Sequence, residues 1–218
     1  MFDRSRGVAQ RLFWMVTMGA GIFGGHAWVV AGRPFSARLD PNRQLFPDSC
    51  LVDMSYLLDA PAGRHGFLTT HSDGHFYWGD GTRARFWGIN ISSLSLRRPH
   101  AEIDRVADVL ARAGVNMVRL EAIDNARCLL RDDAPTSTEF DAEYQDRLFY
   151  WIHALKQRGI ALYLNLLDYR TFKAGDGVTN AAPLGRGAKP YAIFDPRLIE
   201  LQQKYARRLL TTPNPYTH

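Results

Sequence analysis

From residue 85 onward the chain repeats one kind of unit: a short apolar run, then an amphipathic stretch. Residues 85–90 (RFWGIN), 116–120 (NMVRL) and 160–167 (IALYLNLL) predict three strands. Residues 99–113, 141–158 and 196–210 carry apolar side chains at spacings of three and four, which predicts helices. The first stripe is Ile103, Val106, Ala107 and Leu110, with Gly114 at its end. The second is Tyr144, Leu148, Trp151, Ile152 and Leu155, ended by Gly159; the third is Leu198, Leu201, Tyr205 and Leu209. Mostly apolar strands alternating with helices make a parallel sheet, so the fold class is α/β.

The number of units limits the architecture further. A (β/α)8 barrel takes eight units and about 250 residues, and an open doubly wound sheet usually has about five strands or more. Three parallel strands leave exposed edges. Residues 213–218 (PNPYTH) read as loop. The chain is therefore expected to be the N-terminal part, about three βα units, of a larger barrel protein.

Ahead of the sheet, residues 67–70 and 75–78 predict two short strands joined by Ser72-Asp73-Gly74. A second turn follows at Gly79-Asp80-Gly81. Asp-Gly between aromatic runs is a hairpin signal, so residues 66–86 form a small β-hairpin cap. Residues 51–58 are a short strand or a helical turn, and Pro61-Ala62-Gly63 is a break. Residues 32–49 hold three prolines without periodicity and read as a linker.

Arg4, Arg6 and Arg11 precede an apolar stretch at 12–31 (LFWMVTMGAGIFGGHAWVVA). That is the pattern of a secretory signal or an N-terminal anchor. Val29 and Ala31 suit a cleavage before Gly32, whereas the length of 20 residues also suits a membrane span. A buried core helix is the third reading. Either of the first two places the protein outside the cytoplasm: secreted, periplasmic or membrane-anchored. Cys50 and Cys128 are two buried thiols or one disulfide; two cysteines exclude a disulfide scaffold and a four-cysteine zinc site. The net charge is +5, of which the first 31 residues supply +2. No Lys/Arg run makes a nucleic-acid footprint. The membrane is a partner only through the N-terminal segment.

Barrel enzymes carry their chemistry at the C-terminal ends of the strands. Those ends here offer Asn90, Arg119, Glu121, Asn165 and Asp168, with Asp124 just beyond the second. Arg119 is the most informative, because a cation buried in an apolar strand needs a partner. It would hold a catalytic carboxylate ionised, or form a structural ion pair with Glu121 or Asp124. Asn90 is a cleft donor and acceptor or a turn residue. Glu121 and Asp168 are a catalytic pair only at the separations glycosidases use, about 5–5.5 Å for retention or about 6.5–9.5 Å for inversion; otherwise they are solvated loop acids. Trp78, Trp87 and Tyr169 stack on sugar rings or fill the core, the core being favoured for Trp87. The glycine-rich segment 173–190 matches no phosphate-binding pattern and reads as a mobile loop over a cleft. His65, His71, His75, His100 and His153 show no metal spacing, and His153 reads as surface. No cofactor and no metal are expected.

Several blocks together resemble a known family. They are Pro61-Ala62-Gly63-Arg64-His65-Gly66-Phe67, Asp73-Gly74-His75-Phe76, Asp80-Gly81 and Arg85-Phe86-Trp87-Gly88-Ile89-Asn90. Then come Ala113-Gly114-Val115-Asn116-Met117-Val118-Arg119-Leu120, Lys156-Gln157-Arg158-Gly159-Ile160 through Asn165-Leu166, Phe194-Asp195-Pro196, Tyr205-Ala206 and Asn214-Pro215-Tyr216-Thr217. In this order they resemble cellulase-like glycoside hydrolases of clan A, near family 5. The resemblance covers residues 50–218 and implies a truncated (β/α)8 TIM barrel. It implies a retaining hydrolase of β-linked poly- or oligosaccharides. The family's acid/base, a Glu after strand four, and its nucleophile, a Glu after strand seven, fall beyond His218. The arginine that orients the nucleophile matches Arg119. Asn90, Glu121, Asp124, Asn165, Asp168, Trp87 and Tyr169 then become substrate-binding candidates. Related sequences often carry histidines after strand two and at the end of strand three, where this chain has Glu121-Ala122 and Leu167-Asp168. The rival expectation is a non-catalytic, exported carbohydrate-binding protein using Trp78, Trp87 or Tyr169.

Overall fold

A computed structural model of the chain describes residues 53–185 and 188–217. The leader at 1–31, the linker at 32–49 and Cys50 lie outside the described residues. The described residues open with a helical turn at Ser55–Leu57. An antiparallel hairpin follows, β1 (Thr69–Thr70) and β2 (Phe76–Tyr77). Its turn is set by Asp73, whose carboxylate accepts from His75 N at 3.1 Å and from the Tyr77 hydroxyl at 2.6 Å.

The main sheet is parallel, with β3 (Gly88–Ser92), β4 (Met117–Glu121) and β5 (Ala161–Leu164) in chain order. Helix α1 (His100–Arg112) joins β3 to β4, and α2 (Ala142–Gln157) joins β4 to β5. Two short helices, α3 (Ala181–Leu184) and α4 (Ala188–Tyr191), and the longer α5 (Pro196–Thr211) complete the order. The helix starts follow from their caps. The Asp141 carboxylate accepts from Glu143 N at 3.0 Å and Tyr144 N at 3.1 Å, and that of Asp195 from Leu198 N at 2.9 Å. Pro196 occupies the first turn of α5, where its missing N–H costs nothing.

Strand order without reversal has a geometric consequence. Right-handed crossovers that always step the same way lay their helices on the same face of the sheet. The core agrees with this. Val118 and Leu120 of β4, with Ile91, Leu162 and Leu164, pack against Ile103 and Leu110 of α1, Leu148, Trp151 and Leu155 of α2, and Tyr205 and Leu209 of α5. The opposite face carries Asn90, Arg119 and Tyr163, which are register partners across the three strands. This is a mixed α/β fold with a three-stranded parallel sheet, a geometry compatible with part of a βα barrel. Among the described residues no helix is long and apolar enough to cross a membrane.

Several expectations are corrected. The strand expected at 85–90 begins only at Gly88. Asn116 draws residues 85–87 out of the ladder: its Nδ2 donates to Arg85 O at 2.8 Å and its Oδ1 accepts from Trp87 N at 2.6 Å. The strand expected at 160–167 stops at Leu164, because the chain then bends toward Asp124. Segment 173–190 is not an irregular loop. It holds a helical turn at Ala174–Asp176, then α3 and the start of α4. Phe172, Ala181, Ala188, Ala192, Leu198 and Leu201 form its own apolar cluster. The buried Asp176 carboxylate fastens it, accepting from Ser137 N at 2.9 Å and Lys173 N at 2.7 Å. His153 is half-buried, its ring near those of Tyr150 and Tyr216.

The Tyr205 hydroxyl is buried without a hydrogen-bond partner among the described residues, and burial pushes its pKa well up. Its ring packs on Phe140 and under the Arg170 guanidinium, contacts a phenyl ring keeps. Removing an unsatisfied buried hydroxyl relieves its desolvation cost, so Tyr205→Phe is expected to stabilise the chain by about 1 kcal/mol. A urea midpoint that falls in this variant would contradict that.

Candidate functional site

The C-terminal ends of β4 and β5 bring together much of what the sequence suggests. Arg119 Nε donates to Asn165 Oδ1 at 3.0 Å, and an outer guanidinium nitrogen lies 3.6 Å from Glu121 Oε1. Asn165 Nδ2 donates to Asp168 Oδ2 at 3.1 Å. The other Asp168 oxygen receives Lys189 Nζ at 2.8 Å. Glu121, Arg119, Asn165, Asp168 and Lys189 thus form one chain of alternating charge and amide. Arg119 also lies over the Tyr163 ring, 5.9 Å from its centre.

Arg119 is not buried; its side chain is 36% exposed, on the face opposite the helices. The cost of burying a cation therefore does not apply, and the open sheet face explains its place in an apolar strand. Of its two expected ion-pair partners it takes Glu121. Asn90 is exposed in mid-strand directly across the ladder from Arg119, so it is not a turn residue. Tyr169 is partly exposed in the bend after β5, and its backbone N–H donates to Asp124.

Two substrate-binding candidates are placed differently. Trp87 is neither core nor cleft: it is 69% exposed and precedes β3, at the end of the sheet away from Glu121 and Asp168. Its backbone is tied to Asn116 there, which holds it at the strand's start. Asp124 is wholly buried and offers no surface to a ligand. Its two oxygens accept the consecutive backbone N–H groups of Asp168, Tyr169 and Arg170 at 2.7, 2.9 and 3.1 Å. Trp78, also at the N-terminal end, is half-buried with its ring edge-on to Phe86.

Electrostatics separate the two buried-side carboxyls. For Asp124, burial raises the pKa and outweighs the three amide bonds that lower it. For Asp168, burial also acts upward, but the Lys189 ammonium, Asn165 and Arg119 together hold the carboxyl below the usual range. A carboxylate held in that state is no proton donor at neutral pH. The Asp168–Lys189 link contributes stability above the ordinary value of 3.8 and loses it as pH falls through the lower folded value. The urea midpoint of the native chain is expected to drop below about pH 4 more steeply than that of Lys189→Met. Equal acid slopes in the two proteins would remove this link from the stability balance.

Lys189 and Arg170 carry no sequence signal of their own. Lys189 comes from the glycine-rich segment and reaches Asp168 only because α4 folds back. The buried Arg170 guanidinium donates to Ser137 Oγ at 3.1 Å, Ser137 O at 2.8 Å and Leu201 O at 2.9 Å, and lies over the Phe172 and Tyr205 rings. Cys128 is a buried free thiol donating to Ser93 O, and burial pushes it up to about 11, so it is no nucleophile at neutral pH.

Two open cavities lie away from this cluster. One cavity of about 240 Å³ sits between the hairpin and the N-terminal strand ends, lined by His65, Trp78, Arg85 and Asn116. Another of about 330 Å³ lies beside Cys128, Arg97 and Arg127. Neither is lined by Arg119, whose cluster occupies an open face instead. Among the described residues no group of three His, Cys, Asp or Glu side chains is placed to hold a metal ion. Comparison with protein-family models and with curated proteins gives no match.

Proposed function

We propose that the chain supplies the first three βα units of a (β/α)8 barrel in a retaining glycoside hydrolase of clan A, near family 5. Its substrates are β-linked poly- or oligosaccharides. One observation carries the reading: the sheet winds in a single direction, with helices on one face and Asn90, Arg119, Glu121, Asn165 and Asp168 at or near its opposite, open face. A barrel needs helices outside and a polar rim at the strand ends inside. A doubly wound sheet needs a second apolar face to receive helices.

In this reading a protonated Glu after the fourth strand donates to the leaving oxygen. A Glu after the seventh attacks the anomeric carbon. Arg119, fixed through Nε by Asn165 and indirectly by Asp168, waits to orient the nucleophile. The three described strands provide neither Glu, so the 218-residue chain alone is expected to turn over no glycoside. The apolar stretch at 12–31 directs export in the same proposal.

Sequencing the transcript past the His218 codon tests the reading. Continuation for roughly 150 residues or more, with Asn-Glu soon after and a later strand-end Glu, supports it. A stop codon there would overturn the hydrolase. The rival is then an exported carbohydrate-binding protein without catalysis, favoured by the exposed Tyr163 and Tyr169 rings. Saturable binding of cellohexaose by a monomeric 218-residue chain would support that rival; absence of binding would remove it.

A further inference from the structure

We infer that Asp124 is a positioning residue: from within the core it fixes the bend after β5, so that Tyr169 stays at the surface and Asp168 can hold both Asn165 and Lys189. The part of this inference that concerns ligands rests on the glycan reading above; the positioning itself does not.

The geometry builds the role in steps. β4 ends at Glu121, which faces Arg119. Ala122 then takes a left-handed conformation, φ 60°, which a residue with a Cβ adopts only when its surroundings require it. The turn sends Ile123 and Asp124 into the core, both fully buried, while Glu121 stays at the surface. From there the Asp124 carboxylate takes three consecutive N–H groups from the neighbouring βα connection. Three amides aimed at two oxygens fix the backbone of residues 168–170. Their side chains diverge as a result. Arg170 turns inward to Ser137 and Leu201, while Asp168 turns to Asn165 and Lys189. The titratable groups that feel the Asp124 charge are Asp168 on the bend, Arg170 behind it, Lys189 beyond Asp168, and the buried Cys128 and Tyr205. Uncharged, isosteric asparagine offers one acceptor oxygen where three donors converge, and its NH2 group opposes them.

The test uses the 218-residue chain and the variant Asp124→Asn. Three readouts are expected. Amide exchange at residues 168–170 rises by about tenfold or more, while α1 and α2 stay protected. The Asp168 carboxyl, followed by carbon NMR, titrates nearer the ordinary carboxylate value, because its hold on Lys189 is lost. Lys189 is acylated several-fold faster by acetic anhydride relative to Lys156 in the same molecule. A general loss of packing would raise both lysines together, so a selective rise at Lys189 reads positioning alone. Should the variant not fold, the native chain still decides: strong protection of the 168–170 amides supports the inference, and free exchange there overturns it. Unchanged Asp168 titration and Lys189 reactivity in a folded Asp124→Asn would also overturn it. Failure of the glycan reading appears separately, as a stop codon at 219 together with no cellohexaose binding by the native chain.

Discussion

Arg170→Met is expected to destabilise the chain by about 3–5 kcal/mol, among the largest effects of any single substitution. Arg170 is 3% exposed, and its guanidinium donates to three acceptors from two other segments, the Ser137 hydroxyl and carbonyl and the Leu201 carbonyl. Methionine preserves most of the apolar stem, so the Phe172 and Tyr205 rings keep a neighbour. It returns none of the hydrogen bonds. The buried Ser137 hydroxyl and carbonyl then lose their guanidinium donor, Leu201 O keeps only its helical bond within α5, and the nearby Asp176 and Asp124 lose a compensating charge. Burial opposes the Arg170 charge, so a well-packed apolar replacement recovers part of the loss. Chemical denaturation of the variant and the native chain measures the balance. A loss below about 1 kcal/mol would mean that Arg170 is tolerated rather than required.

Trp151→Ala is the second large effect, with an expected loss of about 3–5 kcal/mol. Its side chain is fully buried at the middle of α2, and its indole N–H donates to Ser95 O at 3.1 Å. Truncation leaves a cavity against the sheet and removes one of the two hydrogen bonds to Ser95 O, which keeps the Arg98 N–H. Trp151→Phe fills most of that cavity without restoring the hydrogen bond. Comparing the two variants separates volume from hydrogen bonding: phenylalanine is expected to recover more than half of the loss. Equal losses would assign the effect to the Ser95 bond.

The periodic parts of this fold were readable from residues alone. Leu148, Trp151 and Leu155 announce one buried helical stripe, and Leu198, Leu201, Tyr205 and Leu209 another, because burial imposes the 3.6-residue period directly. Strand limits were less readable. A single side chain, Asn116, competes for the backbone of residues 85–87, and nothing local in RFWGIN reveals it. At the candidate site, strand-end position singled out Arg119, Glu121, Asn165 and Asp168, and they lie together because parallel strands bring their ends together. Burial was not legible for Asp124, nor exposure for Trp87. An aspartate two residues past Ala122 enters the core only because the backbone reverses there, and the donors waiting for it belong to a segment more than forty residues away. Lys189 was hidden for the same reason, its partner lying 21 residues earlier across a glycine-rich stretch that folds into short helices.

Strand order that follows chain order also bears on synthesis. β4 pairs with β3, which precedes it, and β5 pairs with β4. Each strand leaving the ribosome therefore finds its partner already made, and no strand must wait for a later one to be inserted beside it. Such vectorial pairing joins each strand to the one just before it in the chain, which keeps the loop to be closed short. A growing chain halted after α2 would already hold the first pair of the sheet with both of its helices.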